Sequence, residues 1–532
     1  MDLFIRNATI VDGSGDPPYR GSVGTAGDKI VLVTREEVDP AARELIDGSG
    51  LCLTPGFIDC HSHGDQAIGQ EPAMLAKISQ GITTEIAGQC GGSIFPVNPE
   101  HLKAFKDLMA IGTHTFPDDL ENWTTFRKFA RFAGNTPLAV NMKTFTGHSS
   151  LRIAAMGMRE GKPSAGEMEA MKEMLRESME YGSMGLSSGL IYAPGCYADL
   201  DELTELASVA AKYGGLYATH MRNESDHILK AVREALEVGL RAGLPVCISH
   251  HKICGRQNWG LSQGTLSLIR QAESRGLEVT IDHYPYTANY TNMNVCIPPH
   301  YYEDEGMAGM LRALEDPEQR LKIRQEMQEP GTYDNFYLNG GGFDGMFICS
   351  SPREKEAEGL LVSQYAEILG KDGFDTFFDL LLVNRGQLNG VFHSICEEDN
   401  AQIILDKNTV IGTDGNCRSL DEPTHPRTFG SFPRAIRHYV FEQKLMPLET
   451  MVRKVTGLAA KRMRLPGKGR IGEGYDADLV LFSPEKIRDE ADYLHSTRLS
   501  QGIERVIVNG VTGYRAGKMT RARAGRFIRH QG

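Results

Sequence analysis

The feature that most restricts the fold is a unit that recurs through the middle of the chain: an amphipathic helix, a glycine, a short apolar strand and a polar cluster. Residues 226–241 place Ile228, Leu229, Val232, Leu236 and Leu240 on one helical face. Gly243 breaks the helix, and residues 244–249 read as a strand. The unit returns with a helix over 265–275, Gly276 and a strand over 277–282. Further strands are expected at 83–87, 138–142, 184–187 and 216–219, with 57–60 first and 409–413 last. Strands alternating with helices imply parallel pairing in an α/β fold. Eight such units fit a closed (β/α)8 barrel, the TIM architecture; a doubly wound open sheet is the alternative.

The two ends of the chain read differently. Residues 3–53 break into short strands at turn residues such as Asp12-Gly13-Ser14-Gly15 and Asp47-Gly48, with only a short, frayed helical stretch expected. Strand-like runs return at 477–482 and 506–510. Residues 1–55 and 466–532 are therefore expected to build one small β-sandwich domain, with the barrel over 56–465. Between 290 and 408 the rhythm lapses, with helices expected at 307–314 and 320–327 and a glycine run at Gly340-Gly341-Gly342. An insertion of that length after a barrel strand reads as a lid over the active-site face, although the glycines fit a plain surface loop equally well.

Five strands run into residues able to bind a metal. His61-Ser62-His63 follows the first, and residues two apart on an extended chain point the same way, so both imidazoles reach one ion. Cys90 follows the strand at 83–87, His220 ends 216–219, His250 ends 244–249 and Asp414 ends 409–413. A lone histidine at a strand end is ordinarily a hydrogen-bonded structural residue, and a lone cysteine is ordinarily core. Here ligand types fall at equivalent positions of repeated units, and a barrel gathers such strand ends at one mouth. Histidine, cysteine and carboxylate together suit zinc. His148 and His283 either line the pocket or bond backbone, His251 supports its neighbour from behind, and the methionines at 168, 171, 174 and 179 pack a helix. Cys247, Cys254 and Cys417 read as structural.

Other chemistries fit less well. Ser187-Ser188-Gly189 lacks the Gly-x-Ser-x-Gly frame of a serine hydrolase. The ten cysteines show no zinc-ribbon or disulfide spacing and read as reduced thiols. Lys+Arg 57 against Asp+Glu 69 gives a net charge of −12, which argues against a nucleic-acid surface. No apolar run approaches the roughly 20 residues that span a bilayer, and no basic segment precedes an apolar one at the start. No membrane partner is expected, and the expected location is cytoplasmic.

Several motifs resemble the amidohydrolase superfamily and, within it, the N-acyl-D-amino-acid deacylases. Asn7-Ala8-Thr9-Ile10-Val11-Asp12-Gly13, Pro55-Gly56-Phe57-Ile58-Asp59-Cys60-His61-Ser62-His63 and Gly474-Tyr475-Asp476-Ala477-Asp478-Leu479-Val480 mark the superfamily. Gly185-Leu186-Ser187-Ser188-Gly189-Leu190-Ile191-Tyr192, Thr219-His220-Met221-Arg222-Asn223-Glu224, Ser249-His250-His251-Lys252, Tyr284-Pro285-Tyr286 and His425-Pro426-Arg427 are narrower. The cysteine of Ala87-Gly88-Gln89-Cys90-Gly91 is similar to the ligand of these deacylases, where hydantoinase-like and dihydroorotase-like members use a carbamylated lysine. Lys143 is the one lysine placed to be suspected of that role, one strand too early. Thr413-Asp414-Gly415 and Ser394-Ile395-Cys396-Glu397-Glu398-Asp399 depart from the family wording without removing a ligand.

The resemblance implies zinc-dependent hydrolysis of N-acyl-D-amino acids to a carboxylate and a free D-amino acid. Cys90, His220 and His250 would hold the principal zinc, and His61 and His63, with Asp414, a second and weaker site. Asp414 would serve as general base and acid, and Tyr192 would donate to the scissile carbonyl. Lys252, Tyr284 and Arg427 would grip the substrate α-carboxylate. The alternative is a cyclic-amide hydrolase. Side-chain and acyl preference, metal count and oligomeric state are not legible in the sequence.

Overall fold

Alternation sets the first strand. Leu3–Ile10 buries Leu3, Phe4, Ile5, Ala8 and Ile10 and exposes Arg6 and Thr9, a strand whose alternation changes phase at a bulge between Ile5 and Ala8. In the computed structural model, which describes residues 1–38, 40–68, 74–109, 116–302, 305–331 and 333–529, this strand pairs antiparallel with Tyr19–Ala26. On its other side it pairs parallel with Glu44–Asp47 and then Cys52–Pro55. Leu479–Phe482, from the far end of the chain, joins Cys52–Pro55 antiparallel, and Ile503–Val508 and Val511–Arg515 extend it. The result is one nine-stranded sheet drawn from both ends. The short helix expected within 3–53 does not form among the described residues.

The central units follow the expected rhythm. The helix Ile228–Ala242 buries Ile228, Ala231, Val232, Ala235 and Leu236, each large apolar side chain worth about 1.5–3 kcal/mol when fully covered. It stops where Gly243 adopts φ 72° and its N–H closes on Gly239 O, the left-handed cap that glycine alone adopts without strain. Val246–Ile248 then enters a six-stranded parallel sheet ordered 409–411, 279–283, 246–248, 216–220, 185–189, 146–147. Phe57–Asp59, Ile82–Ala87 and Asn141–Thr144 form a second parallel sheet.

Hydrogen bonds join the two sheets at both margins. At one margin Met184 N–H, just before the strand at 185–189, donates to Thr144 O (2.9 Å). At the other margin Cys60 N–H reaches Ile411 O (3.2 Å) and Asp414 N–H reaches His61 O (2.8 Å). Ile58, Cys60, Ile86, Phe145, Ala218, Cys247 and Val410 form one apolar cluster contributed by both sheets.

One strand lies three residues later than its apolar run suggests. Leu138 and Val140 flank a segment claimed by the chain's C-terminal stretch, where Gly525 N–H donates to Leu138 O (2.9 Å) and Met142 N–H to Arg526 O (2.9 Å). The strand continues through polar Asn141, Lys143 and Thr144 instead.

The 290–408 insertion has its own architecture. Asn289–Asn292, Asn389–Phe392 and Met346–Ser350 make a three-stranded antiparallel sheet. Helices Met307–Glu315, Pro317–Met327, Val362–Leu369 and Gly373–Val383 surround it. Met293, Met310, Ile323, Phe377 and Leu381 belong to a separate apolar core there. The second helix begins at Pro317 rather than 320 because Asp316 caps the N–H groups of Glu318 and Gln319. The glycine run is a tight turn after Phe336–Asn339, with Gly341 at φ 78° and Gly342 at φ 84°. No helix among the described residues is long and apolar enough to cross a membrane.

Candidate metal centre

The strand ends bring the expected ligand types together. Cys90 Sγ lies 3.3 Å from His61 Nε2 and 3.3 Å from His250 Nε2. Asp414 Oδ1 lies 3.5 Å from His61 Nε2 and 3.1 Å from His63 Nε2. His61, Cys90, His250 and Asp414 offer ligand atoms all within 4.8 Å of one another, and His220, Glu224 and His250 form an adjoining group on the same criterion. Cys90 (φ 52°), His250 (φ 33°) and Asp414 (φ 48°) are all left-handed. That conformation costs a non-glycine residue about 1–3 kcal/mol, so three instances in one cluster mark side chains aimed against local preference.

Electrostatics sharpen the grouping. Burial would raise the Cys90 thiol, but His61 and His250 hold it well below the usual thiol range. Burial would likewise raise Asp414, while Arg427, with Nη1 2.8 Å from Oδ2, and the imidazoles hold it well below the usual carboxylate range. Arg427 also lies over the Tyr284 ring at 4.7 Å, and the Tyr284 hydroxyl is buried without a hydrogen bond. Tyr192 projects its hydroxyl to Thr291 Oγ1 at 3.1 Å.

Lys252 reaches the site from beside His250, and its ammonium is already engaged. It lies 2.7 Å from the Glu224 carboxylate, 3.0 Å from His250 O and 2.8 Å from His250 Nδ1. Glu224 is the site residue that sequence reasoning missed most plainly. Both of its oxygens face cationic or imidazole nitrogen: Lys252, His250 Nδ1 at 3.1 Å and His220 Nε2 at 3.5 Å. Asp282 is the second omission. It takes His61 Nδ1 at 3.0 Å and the His250 N–H at 2.6 Å, so one carboxylate orients two proposed ligands. The signal for Asp282 was present, since it sits at a strand end as Asp414 does. Glu224 lies four residues beyond its strand, where spacing says nothing.

The donor set fits a thiophilic divalent cation such as zinc. It supplies a thiolate-forming cysteine, imidazoles and a carboxylate. His220 Nδ1 and His63 Nδ1 are buried without a hydrogen bond, which is unusual for buried imidazole nitrogen.

A cavity of about 60 Å³ opens on this cluster, with Tyr284, Tyr290, Thr291, Phe336 and Arg427 in its walls. It shares Leu108, Tyr192 and Phe336 with a neighbouring chamber of about 310 Å³ lined by Met158, Leu190, Ile191, Ile297, Tyr302 and Met307. The basic side chains bordering that chamber are engaged elsewhere. Arg222 is held by Glu234 (2.9 Å) and the carbonyls of Cys196 and Ala198 (2.7 Å each), and His300 lies 3.3 Å from Glu326.

Other candidates from the sequence lie outside the cluster. His148 pairs with Glu202 at 2.8 Å beside Arg152. His251 bonds Thr265 Oγ1 (2.8 Å) and His283 donates to His251 O (3.1 Å); burial pushes them down to about 3 and about 4, so both are neutral. Lys143 is buried, which lowers its ammonium, and does not line the cavity. Cys247 and Cys417 pack in apolar clusters, as do Met171 and Met179, with Met168 and Met174 against them.

The model of the amidohydrolase family matches residues 44–312 and 358–514. A D-aminoacylase of Alcaligenes xylosoxydans xylosoxydans is 34% identical, across 99% of this chain and 97% of its own. The structure of an N-acyl-D-glutamate deacylase from Bordetella bronchiseptica, complexed with zinc and a phosphonate mimic of the tetrahedral intermediate, superposes with a TM-score of 0.84. It is 30% identical and covers 100% of both chains. A D-aminoacylase structure concerned with a binuclear metal centre, activated by one metal and attenuated by a second, gives a TM-score of 0.82 at 31% identity. It covers 99% of this chain and 100% of its own.

Proposed function

The chain belongs to the amidohydrolase family, among its N-acyl-D-amino-acid deacylases, and on that premise we propose that it hydrolyses the amide bond of N-acyl-D-amino acids. The observation that carries the reading is the meeting of Cys90, four histidines and Asp414 at strand ends, with Arg427 beside them. We read the two parallel sheets, hydrogen-bonded at both margins, as one closed (β/α)8 barrel over residues 56–465. The terminal strands read as a small β-sandwich over 1–55 and 466–532. Ile30 N–H donates to Tyr475 O (2.9 Å) and Ala477 N–H to Asp28 O (2.8 Å), which folds that sheet back on itself. The 290–408 insertion acts as a cover, since it contributes Tyr290, Thr291 and Phe336 to the cavity wall.

Cys90, His220 and His250 would hold the principal zinc, and His61, His63 and Asp414 a second, weaker site. Zinc bound there supplies Lewis acidity, which polarises a carbonyl and acidifies water. Asp414 takes a proton from the attacking water and delivers it to the departing amine nitrogen, without which the amide does not break easily. Tyr192 donates its hydroxyl proton toward the scissile oxygen as charge develops there, a contact of the kind worth about 2.7–4 kcal/mol. Arg427 and the free Tyr284 hydroxyl bind the substrate α-carboxylate. Lys252, tied to Glu224 and His250, contributes positive field to the same subsite. The neighbouring chamber takes the substrate's bulkier group, and its apolar walls and engaged cations favour an uncharged, apolar one.

The test compares zinc-loaded protein on N-acetyl-D- and N-acetyl-L-leucine, a hydantoin and dihydroorotate, reading free amine or ring opening. Amine release from the D substrate, abolished by Asp414→Asn, is expected. Ring opening with silent acyl substrates would overturn the reading and return attention to Lys143.

A further inference from the structure

Beneath the cluster lies a polar network that the mechanism does not use. Lys77, Asp59, Glu85, Ser62 and Thr413 are all fully buried. The Lys77 ammonium donates to Asp59 Oδ2 (2.8 Å), Thr413 Oγ1 (2.8 Å) and Gly415 O (2.9 Å), and a second carboxylate, Glu85, lies 3.7 Å away. Thr413 and Gly415 are the residues on either side of Asp414. The other Asp59 oxygen accepts from Thr413 N–H (2.8 Å) and His61 N–H (3.2 Å). Between these anchors Asp414 N–H donates to His61 O (2.8 Å), and His63 N–H donates to Gly415 O (3.1 Å). One buried ion pair thus grips both neighbours of Asp414 and the backbone of the His61–His63 pair.

We propose that Lys77 is a positioning residue that fixes the Asp414 carboxylate relative to His61 and His63, resting on the assignment of Asp414 as base. The Asp414 carboxylate itself meets Arg427, His63 and His61, and Lys77 acts on it through the backbone it holds. Asp414 sits at φ 48°, a left-handed conformation that aspartate tolerates better than most residues but that aims its side chain away from the strand direction. The ordinary way to join two loops is by backbone pairing, as His63 and Gly415 do. A fully buried ammonium is a costly addition to that, and what it adds is a fixed place for the residue between Thr413 and Gly415. Lys77 belongs to Leu75–Ile78, a single turn entered through Met74 at φ 52°, so its own reach is constrained at the other end.

Lys77→Met alone strands the Asp59 charge and can unfold the chain, so the decisive variant is Lys77→Met with Asp59→Asn, which removes the close ion pair and leaves Glu85 with its hydrogen bond from Ser62. Lys77→Arg keeps the charge but not the three-way geometry. Zinc-loaded enzyme is assayed on an N-acetyl-D-amino acid, with zinc content and melting temperature measured in parallel. The double variant should lose about 100-fold in kcat with KM within about twofold, the signature of a misplaced catalytic group. Zinc content should stay at the wild-type level, and Lys77→Arg should recover part of kcat. A double variant within about threefold of wild-type kcat overturns the proposal, as does a loss that tracks lost zinc or lost folding alone. Asp414→Asn is run alongside. If it stays active, the base assignment fails; if it is dead while the double variant is active, only the role of Lys77 fails.

Discussion

Replacing Glu224 by glutamine removes the one carboxylate that faces Lys252, His250 and His220 together. At 2.7 Å from the Lys252 ammonium, its direct attraction is about 6 kcal/mol at an effective dielectric of about 20. Both side chains are nearly fully buried, and breaking such a pair from one side costs about 3–5 kcal/mol, because the remaining charge stays uncompensated. A second effect follows from position. The same ammonium lies 2.8 Å from His250 Nδ1, so without Glu224 it repels any cation at His250, and loss of such a supporting partner weakens metal binding about 10–100-fold. The assays are denaturant unfolding of metal-free protein, followed by tryptophan fluorescence, and zinc affinity by chelator competition. Glu224→Gln should lose both stability and affinity. Adding Lys252→Met should return most of the stability, since an apolar pair can replace a buried ion pair at little cost. Burial would raise Glu224, but Lys252 and the imidazoles hold it far below the usual carboxylate range. A lowered carboxylate contributes stability above its unfolded value, about 4.3, and loses it as pH falls through the folded value. The gap between wild type and Glu224→Gln should therefore be constant from pH 8 to 5 and narrow only in stronger acid. A loss under about 1 kcal/mol, or no recovery with Lys252→Met, would refute the reasoning.

Cys90→Ser should abolish retention of zinc through gel filtration with a chelator present, because it replaces the thiolate-forming donor 3.3 Å from both His61 and His250; full zinc content would remove Cys90 from the ligand set. Asp282→Asn turns an acceptor for His61 Nδ1 into a group able to donate. Zinc titration should show the weaker site losing about 10–100-fold in affinity with the tighter site less affected; an unchanged second site would count against His61 belonging to it. Ile191→Arg puts a cation into the apolar chamber. The ratio of kcat/KM for N-acetyl-D-leucine over N-acetyl-D-glutamate should fall by at least about tenfold, and an unmoved ratio would place the side chain elsewhere.

What the sequence made legible was what repeats. Helix, glycine and strand recur, and Cys90, His220, His250 and Asp414 lie at or just past the strand ends of four of those units. Alternating burial also exposes the terminal strands: Leu3–Ile10 reads as a half-covered strand before any partner is known. The strand at Asn141–Thr144 was misread because the apolar signal of Leu138, Ala139 and Val140 belongs to a contact with residues near 525, and nothing local records that.

The groups that were missed share a physical cause. Glu224, Asp282 and Lys77 are polar side chains made burial-worthy by tertiary partners: Glu224 pairs with Lys252 from a later strand end, Asp282 serves His61 from 221 positions away, and Lys77 reaches Gly415 across 338. Periodicity reports hydrophobic faces, and a lysine in Leu75-Ala76-Lys77-Ile78 reads as the solvent side of a helix. Its burial becomes intelligible only once the first and last strands lie side by side, where Cys60 N–H meets Ile411 O. That margin joins Phe57–Asp59 of one parallel sheet to Thr409–Ile411 of the other, and His61, His63 and Asp414 lie beside it. A site assembled across such a seam needs something to hold its two sides in register. Ligand types mark the ends of individual strands; the network around Lys77 and Asp59 fixes how two of those ends meet.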